Sequence, residues 1–241
     1  MGFIDLHHHV VFGVDDGPKT LDDSLALLEL AVRDGITHII ATSHAYPSMA
    51  EFPAQRYLSH LKQLREACVQ RGIPVTLYSG CEIFYSDVAL RQLKAGLLPT
   101  LAQTEYVLVE FDPTIQLDSI ERAVRAFANN GFKPVVAHCE RYDALYRHLD
   151  AVEEMHYELH ASFQINASTL VEKKPWRVRK FRDAMLERGL VSFIATDSHN
   201  CTSRYPMLTQ AYEWLEHSFD ADYAQKLLCG NQAELLQSPR R

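Results

Sequence analysis

The chain has no cysteine pair at CxxC spacing, no run of eighteen apolar residues and no surplus of basic charge. Each absence removes a class of protein. Cys68, Cys81, Cys139, Cys201 and Cys229 are scattered and odd in number, which excludes a disulfide framework and favours a reducing compartment. Without a long apolar run there is no transmembrane helix to place. The opening MGFIDLHHHV lacks a charged segment followed by an apolar one, so no signal peptide is expected and the cytoplasm is the expected location. Lys+Arg number 24 against 31 Asp+Glu, a formal charge of −7, which argues against a nucleic-acid-coating role. Linkers and low-complexity tracts are also missing, leaving one domain over residues 1–241 as the simplest organisation. Hydrophobic residues make up 47% and charged residues 23%, enough to bury a sizeable core at this length.

What is present is an alternation. Seven short apolar runs, Phe3–Leu6, His38–Thr42, Val75–Ser79, Tyr106–Val109, Pro134–Ala137, Ser162–Ile165 and Val191–Ala195, read as strands buried on both faces. Helical patterns lie between them, at Leu21–Arg33, Ala54–Arg71, Leu117–Asn130, Trp176–Arg188 and Met207–His217. Gly35, Gly72, Gly131 and Gly189 each follow a helix and precede a strand, as C-terminal helix glycines do. The fold class is therefore α/β with a parallel sheet. Seven units over 241 residues give about 34 residues each, near the roughly 31 of an eight-unit barrel.

The strand ends favour a barrel over an open sheet. Six of the seven runs are followed by His, Asp or Glu: His7 and His9, His44, Glu82, Glu110, His138, and Asp197 with His199. The sixth ends in Asn166. In a parallel barrel all C-terminal strand ends meet at one face, whereas an open sheet spreads them along an edge. His7 and His9, at i and i+2, project to the same side of a strand, and Asp197 and His199 repeat the spacing. His8 should point the other way. His38, His60, His148, His156, His160 and His217 fall at the other strand end, in helices or in loops, and read as structural.

With Asp16 from the Asp15-Asp16-Gly17-Pro18 turn, the candidate ligands are His7, His9, Asp16, His44, Glu82, Glu110, His138, Asp197 and His199. That is too many for one ion, which needs three to five protein ligands and an open position. Imidazoles with carboxylates suit two or three Mn, Fe or Zn ions. A clustered site of this kind suits phosphate-ester hydrolysis by a metal-generated hydroxide. Arg141, three residues past His138, and Arg204, five past His199, are candidates to hold phosphate through two hydrogen bonds. Asp16 could supply a proton but is expected to be used as a ligand. The positions six after each cysteine are Pro74, Asp87, Leu145, Met207 and Leu235. None is Arg, which excludes the Cys-to-Arg spacing that cysteine phosphatases need.

These segments resemble the polymerase and histidinol phosphatase (PHP) superfamily, and within it the bacterial metal-dependent protein-tyrosine phosphatases of capsule and exopolysaccharide systems. The resemblance rests on Asp5–His9, Val14–Lys19, Thr42–His44, Gly80–Glu82, Val109–Phe111, Ala137–Leu145 and Ala195–Asn200, running through about four-fifths of the chain. Met155–Ser162 and Glu172–Trp176 match it loosely. The resemblance implies a distorted seven-unit (β/α)7 barrel of PHP type, with a trinuclear site at the C-terminal face of the strands. One ion would take His7, His9, Glu82 and Asp197. Glu82 would bridge to a second on Glu110 and His138, and Asp16, His44 and His199 would hold a third. Arg141 and Arg204 would bind the phosphate. It also implies Mn as the leading metal, and as substrate a phosphotyrosine protein, a tyrosine kinase that regulates capsular or exopolysaccharide synthesis. The alternative is a small-molecule phosphatase of the histidinol-phosphate kind. An amidohydrolase, which also opens on HxH, would need a Lys and a His where Glu110 and Asn166 stand.

Overall fold

A computed structural model describes residues 2–238. Nine strand segments follow in chain order: β1 (Phe3–His8), β2 (Ile36–Ala41), β3 (His44–Ala45), β4 (Thr76–Ser79), β5 (Glu82–Phe84), β6 (Tyr106–Glu110), β7 (Lys133–Val136), β8 (Ser162–Asn166) and β9 (Phe193–Ala195). The helices are α1 (Leu21–Arg33), α2 (Ala54–Arg71), α3 (Ala89–Lys94), α4 (Leu117–Ala128), α5 (Leu149–Glu158), α6 (Ala167–Val171), α7 (Trp176–Glu187), α8 (Leu208–Ser218), α9 (Ala221–Gln225) and α10 (Asn231–Leu236). The second and third apolar runs form β2 and β4, and each is followed, beyond Thr42-Ser43 and Gly80-Cys81, by a short further strand, so seven runs become nine segments.

Every strand pairing is parallel, in two ladders: β1-β2-β4, and β3-β5-β6-β7-β8-β9, which begins where β2 and β4 break off. The sheet curls until its last strand returns to its first. There the Asp197 N–H donates to the His7 carbonyl (2.8 Å) and the His9 N–H to the Ser198 carbonyl (2.9 Å). The fold is thus a curled parallel α/β sheet wrapped by helices.

Two apolar clusters follow from burying both sheet faces. The larger joins outward residues such as Ile39, Val109 and Val136 to the surrounding helices. The smaller, with Leu6, Ile40, Leu108, Val135 and Phe193 from five strands, fills the inside of the curl and is closed by Leu101 and by Leu235 of α10. The four expected helix-end glycines all have positive φ, from 66° to 85°. That region costs an L-residue energy and costs glycine little.

Candidate metal centre

A bulge in β1 sets the first two histidines. Asp5 pairs with Ile39 and His8 with Ala41, so β1 uses three residues where β2 uses two. The extra residue shifts the alternation. Leu6 lies in the inner cluster, yet its neighbour His7 shares a ligand group with His9. His8 is left on the opposite side, fully buried, with neither ring nitrogen hydrogen-bonded among the described residues. Burial, seconded by His9 and His199, pushes it down to about 3, so it is neutral. His44 and Glu82 face each other as partners of β3 and β5, and Glu110 ends β6. His138 and Asp197 follow β7 and β9 with φ of 32° and 55°. Such non-glycine conformations cost on the order of 1–3 kcal/mol and cluster where surrounding structure enforces them.

Nine dispersed side chains thereby converge. His7 Nε2 and His9 Nε2 are 3.2 Å apart. They lie 3.3 and 3.2 Å from Glu82 Oε2, and 3.4 and 3.6 Å from Asp197 Oδ1. Ligands about 2.0–2.1 Å from a tetrahedral ion are about 3.3 Å from one another. Four atoms at these separations fit one ion. On the other side of Glu82, His138 Nε2 lies 2.9 Å from Oε1 and 3.5 Å from Glu110 Oε1. His44 Nδ1 also reaches Glu82 Oε2 at 3.1 Å and Glu110 Oε2 at 3.6 Å. Asp16 Oδ1, from the exposed loop after β1, lies 3.1 Å from His199 Nε2 and 3.5 Å from His44 Nε2. The buried atoms His44 Nδ1, Glu82 Oε2 and His199 Nε2 make no hydrogen bond among the described residues. Close approach without hydrogen-bond geometry is what atoms aimed at a shared cation show.

The far ring nitrogens are tied down. Nδ1 of His7 faces Gln164 Oε1 (3.1 Å), that of His9 faces Asp15 Oδ2 (3.0 Å), and that of His199 faces the Asp197 carbonyl (3.0 Å). All three partner atoms can only accept, so each Nδ1 carries a proton and each Nε2 is turned inward, where a metal ion would take the place of any proton it holds. The Tyr142 hydroxyl sits 3.3 Å from His138 Nδ1. Asn166 Nδ2 donates to Asp197 Oδ2 at 2.9 Å. Of these positioning groups, Asp15, Gln164 and Tyr142 were not among the sequence candidates. An acidic neighbour of a ligand histidine was the available signal for Asp15. Asp15 also accepts from the N–H groups of Gly17 and His44. A Cβ on Gly17 would overlap the His9 carbonyl oxygen, so this loop needs glycine there.

The electrostatics describe a trap for cations. Burial lowers His9, but the Asp15 and Glu82 carboxylates outweigh it and hold it at about 10. Burial and Arg141 lower His138, and Glu110 and Glu82 carry it up to about 9. Burial alone would raise Glu82; His7, His138 and His44 keep it well below the usual carboxylate range. The His199 ring at 3.1 Å brings Asp16 down to about 2. The imidazole and carboxylate donor set, the inward-facing ring nitrogens and this field, which favours positive charge, all fit divalent metal ions.

Arg141 and Arg204 both reach the cluster through Asp197. Arg141 Nη2 lies 2.6 Å from Oδ2, and Arg204 Nη2 lies 2.7 Å from Oδ1. Both arginine side chains are part-exposed, at 41% and 37%, and each guanidinium has more donors than its bond to Asp197 uses, so donors remain to face an incoming anion. Asn200, the last residue of the Ala195–Asn200 segment, shapes the Arg204 turn. Its Oδ1 accepts from the N–H groups of Thr202, Ser203 and Arg204. Cys81 and Cys139 are buried, and burial pushes both thiols far up.

A family model described as capsular polysaccharide synthesis, CpsB/CapC, matches residues 3–237. The tyrosine-protein phosphatase CpsB of Streptococcus agalactiae serotype V is 34% identical over 240 residues, covering 98% of each chain. The tyrosine-protein phosphatase YwqE of Bacillus subtilis is 29% identical, covering 98% of this chain and 95% of that one. Among solved structures, a chain from the pair YwqE of Bacillus subtilis and CpsB of Streptococcus pneumoniae, described as unique metal-dependent tyrosine phosphatases, superposes with a TM-score of 0.89. It is 27% identical, covering 98% of this chain and 95% of that chain.

Proposed function

The chain belongs to the CpsB/CapC family of capsular polysaccharide synthesis, and from that premise we infer that it is a metal-dependent tyrosine-protein phosphatase, a phosphoric monoester hydrolase. The observation that carries the reading is the meeting of His7, His9, Glu82 and Asp197 at ligand spacing, with two part-exposed arginines beside them. Bound divalent ions supply concentrated positive charge and make water acidic enough to attack phosphorus near neutral pH. His7, His9, Glu82 and Asp197 would hold one ion, Glu82, Glu110 and His138 a second, and Asp16, His44 and His199 would hold a third where all three sites fill; Mn is the metal we assign ahead of Fe or Zn.

The chain's own groups do the rest. Glu82 sits between the first two ligand sets and is assigned to bridge them. Gln164, Asp15 and the Asp197 carbonyl keep the Nε2 atoms turned inward. Arg141 and Arg204 hold the phosphoryl oxygens, where planar guanidiniums match the spread charge of the transition state. Tyrosine departs as phenolate; with a pKa near about 10 it needs less protonation than an alkyl alcohol. No thiol takes part, since the two cysteines beside the site are buried.

The substrate we assign is a phosphotyrosine protein, specifically a tyrosine kinase that regulates capsular or exopolysaccharide synthesis. The family description and the phosphatase relatives support that choice. All five cysteines are free, in keeping with a reducing compartment, and the cytoplasm is the location this reading assigns. Among the described residues no helix is long and apolar enough to cross a membrane.

Values of kcat/KM for a phosphotyrosine peptide, a phosphoserine peptide and histidinol phosphate, at one pH and saturating Mn, test the reading. The phosphotyrosine peptide should lead clearly. Histidinol phosphate in front would overturn the tyrosine-phosphatase assignment and leave the metal centre standing.

A further inference from the structure

One stretch of this acidic chain is strongly basic. Lys173, Lys174, Arg177, Arg179, Lys180 and Arg182 fall within ten residues, six of the 24 Lys+Arg in the protein. Two of them are neutralised locally, Lys174 by Glu172 and Arg182 by Asp183. Among the described residues Arg177, Arg179 and Lys180 on α7, and Arg147 opposite, have no ion-pair partner. A chain with a formal charge of −7 has acidic groups to spare, so unpaired cations gathered in one place point to an anion supplied from outside.

The place is concave. Arg147, Arg177 and Lys180 line a groove of about 510 Å³ together with Tyr146, Trp176 and Phe181. A single carboxylate, Asp143, joins the lining. The aromatic floor is ordered: Tyr146 stacks on Phe181 at 4.9 Å between centroids, and Lys180 lies over the Trp176 ring at 5.2 Å. Trp176 is 62% exposed, a large apolar surface in water beside free cations. One wall is the segment that also carries His138 and Arg141, because the Tyr146 hydroxyl donates to the Glu140 carbonyl at 2.6 Å. A chain whose phosphotyrosine lies against Arg141 therefore has its neighbouring residues beside this groove.

We propose that the α7 groove is a docking site for an acidic stretch of the substrate protein flanking the phosphotyrosine, with Arg147, Arg177 and Lys180 pairing its carboxylates and Trp176 covering its backbone. The proposal rests on the phosphatase reading and deepens it to the sequence around the target tyrosine. A flat basic face would suit a lipid surface equally well; a walled, aromatic-floored groove beside the phosphate-facing arginine suits an extended peptide.

The test compares wild type with Arg177→Glu/Lys180→Glu, two exposed positions outside the metal centre. The substrates are p-nitrophenyl phosphate, a phosphotyrosine peptide with Asp/Glu flanks and the same peptide with Ser/Ala flanks. Wild type should favour the acidic peptide, with a KM that rises with salt. The variant should lose about tenfold in kcat/KM on the acidic peptide, as expected for reversing two rim charges. Its turnover of p-nitrophenyl phosphate and of the neutral peptide should hold. Equal kcat/KM on the acidic peptide overturns the proposal. So does a variant that loses only its binding to phosphatidylglycerol vesicles while peptide kinetics stay unchanged, because the groove would then read lipid. Quenching of Trp176 fluorescence by the acidic peptide supplies a binding readout free of catalysis. If wild type hydrolyses none of the substrates yet binds that peptide through Arg177 and Lys180, the phosphatase reading fails and the groove stands.

Discussion

Glu82 is where the contacts of the centre meet. Its two oxygens lie 2.9–3.3 Å from ring nitrogens of His7, His9, His44 and His138. Glu82→Ala should lower metal content by at least one ion per chain, measured by elemental analysis of protein purified without chelator; full occupancy would remove the bridging assignment. Arg141 and Arg204 act differently, since each is tied to the centre only by bonds to carboxylates and keeps an exposed face. Replacing either by Ala should leave metal content intact and cut kcat by about 10²–10³, the loss for one preorganised donor. Arg→Lys should restore little, because a point charge does not reproduce a planar fork. Two Ala variants with near-wild-type turnover would make both arginines ordinary surface residues. Asp15 orients His9 without being assigned to any ion, so Asp15→Ala should weaken metal affinity by about 10–100-fold, read by titration against a chelator of known affinity. The adjacent pair Asp15-Asp16 shows what a residue pattern hides. Both are acidic and both sit in one turn, but one is buried on a histidine and the other reaches the opening of the centre.

At the scale of elements, the long amphipathic helices were the most legible. α1 and α2 span the residues their periodicity gives, Leu21–Arg33 and Ala54–Arg71. The strands agree with the apolar runs to within about two residues, but the short strands β3 and β5 just beyond the second and third runs were not readable, because two or three residues are too few to show a period. The short α6 and the terminal α9 and α10 were also missed, being held by packing rather than by a long periodic face. The loop after β1 carries its own prediction. Gly17→Ala puts a methyl group against the His9 carbonyl, and the loop must move with Asp15 and Asp16 on it. Activity should drop and the metal bound at the Asp16 side should be lost first, seen as a lower metal-to-protein ratio with the fold intact by circular dichroism. Wild-type kinetics and metal content in that variant would mean the loop has slack the structure does not show.

At the scale of the whole molecule, the residues assigned as ligands come from strand ends between residues 7 and 199, so on this assignment metal and fold are thermodynamically linked: ions that bind the folded chain stabilise it by mass action. Chelator treatment should abolish activity and lower Tm, and added Mn should restore both. Iodoacetamide should leave activity unchanged, since Cys68, Cys81, Cys139 and Cys229 are buried and only Cys201 is exposed; inactivation by alkylation with metal retained would reopen a thiol mechanism. The sequence by itself determined the parallel α/β alternation and which His, Asp and Glu stand at the strand ends. Both depend on local periodicity and on where His, Asp and Glu follow apolar runs. Tertiary structure decided the rest. It put the extra residue opposite Ile39–Ala41, which lets Leu6 join the inner core while His7 and His9 face the centre, because that bulge exists only in the pairing with β2. It settled that Asp15, Gln164 and Tyr142 orient the ligand rings, because those contacts join residues up to 157 positions apart. It also made a groove of the basic stretch on α7, because the Arg147 wall reaches it only once the chain has folded.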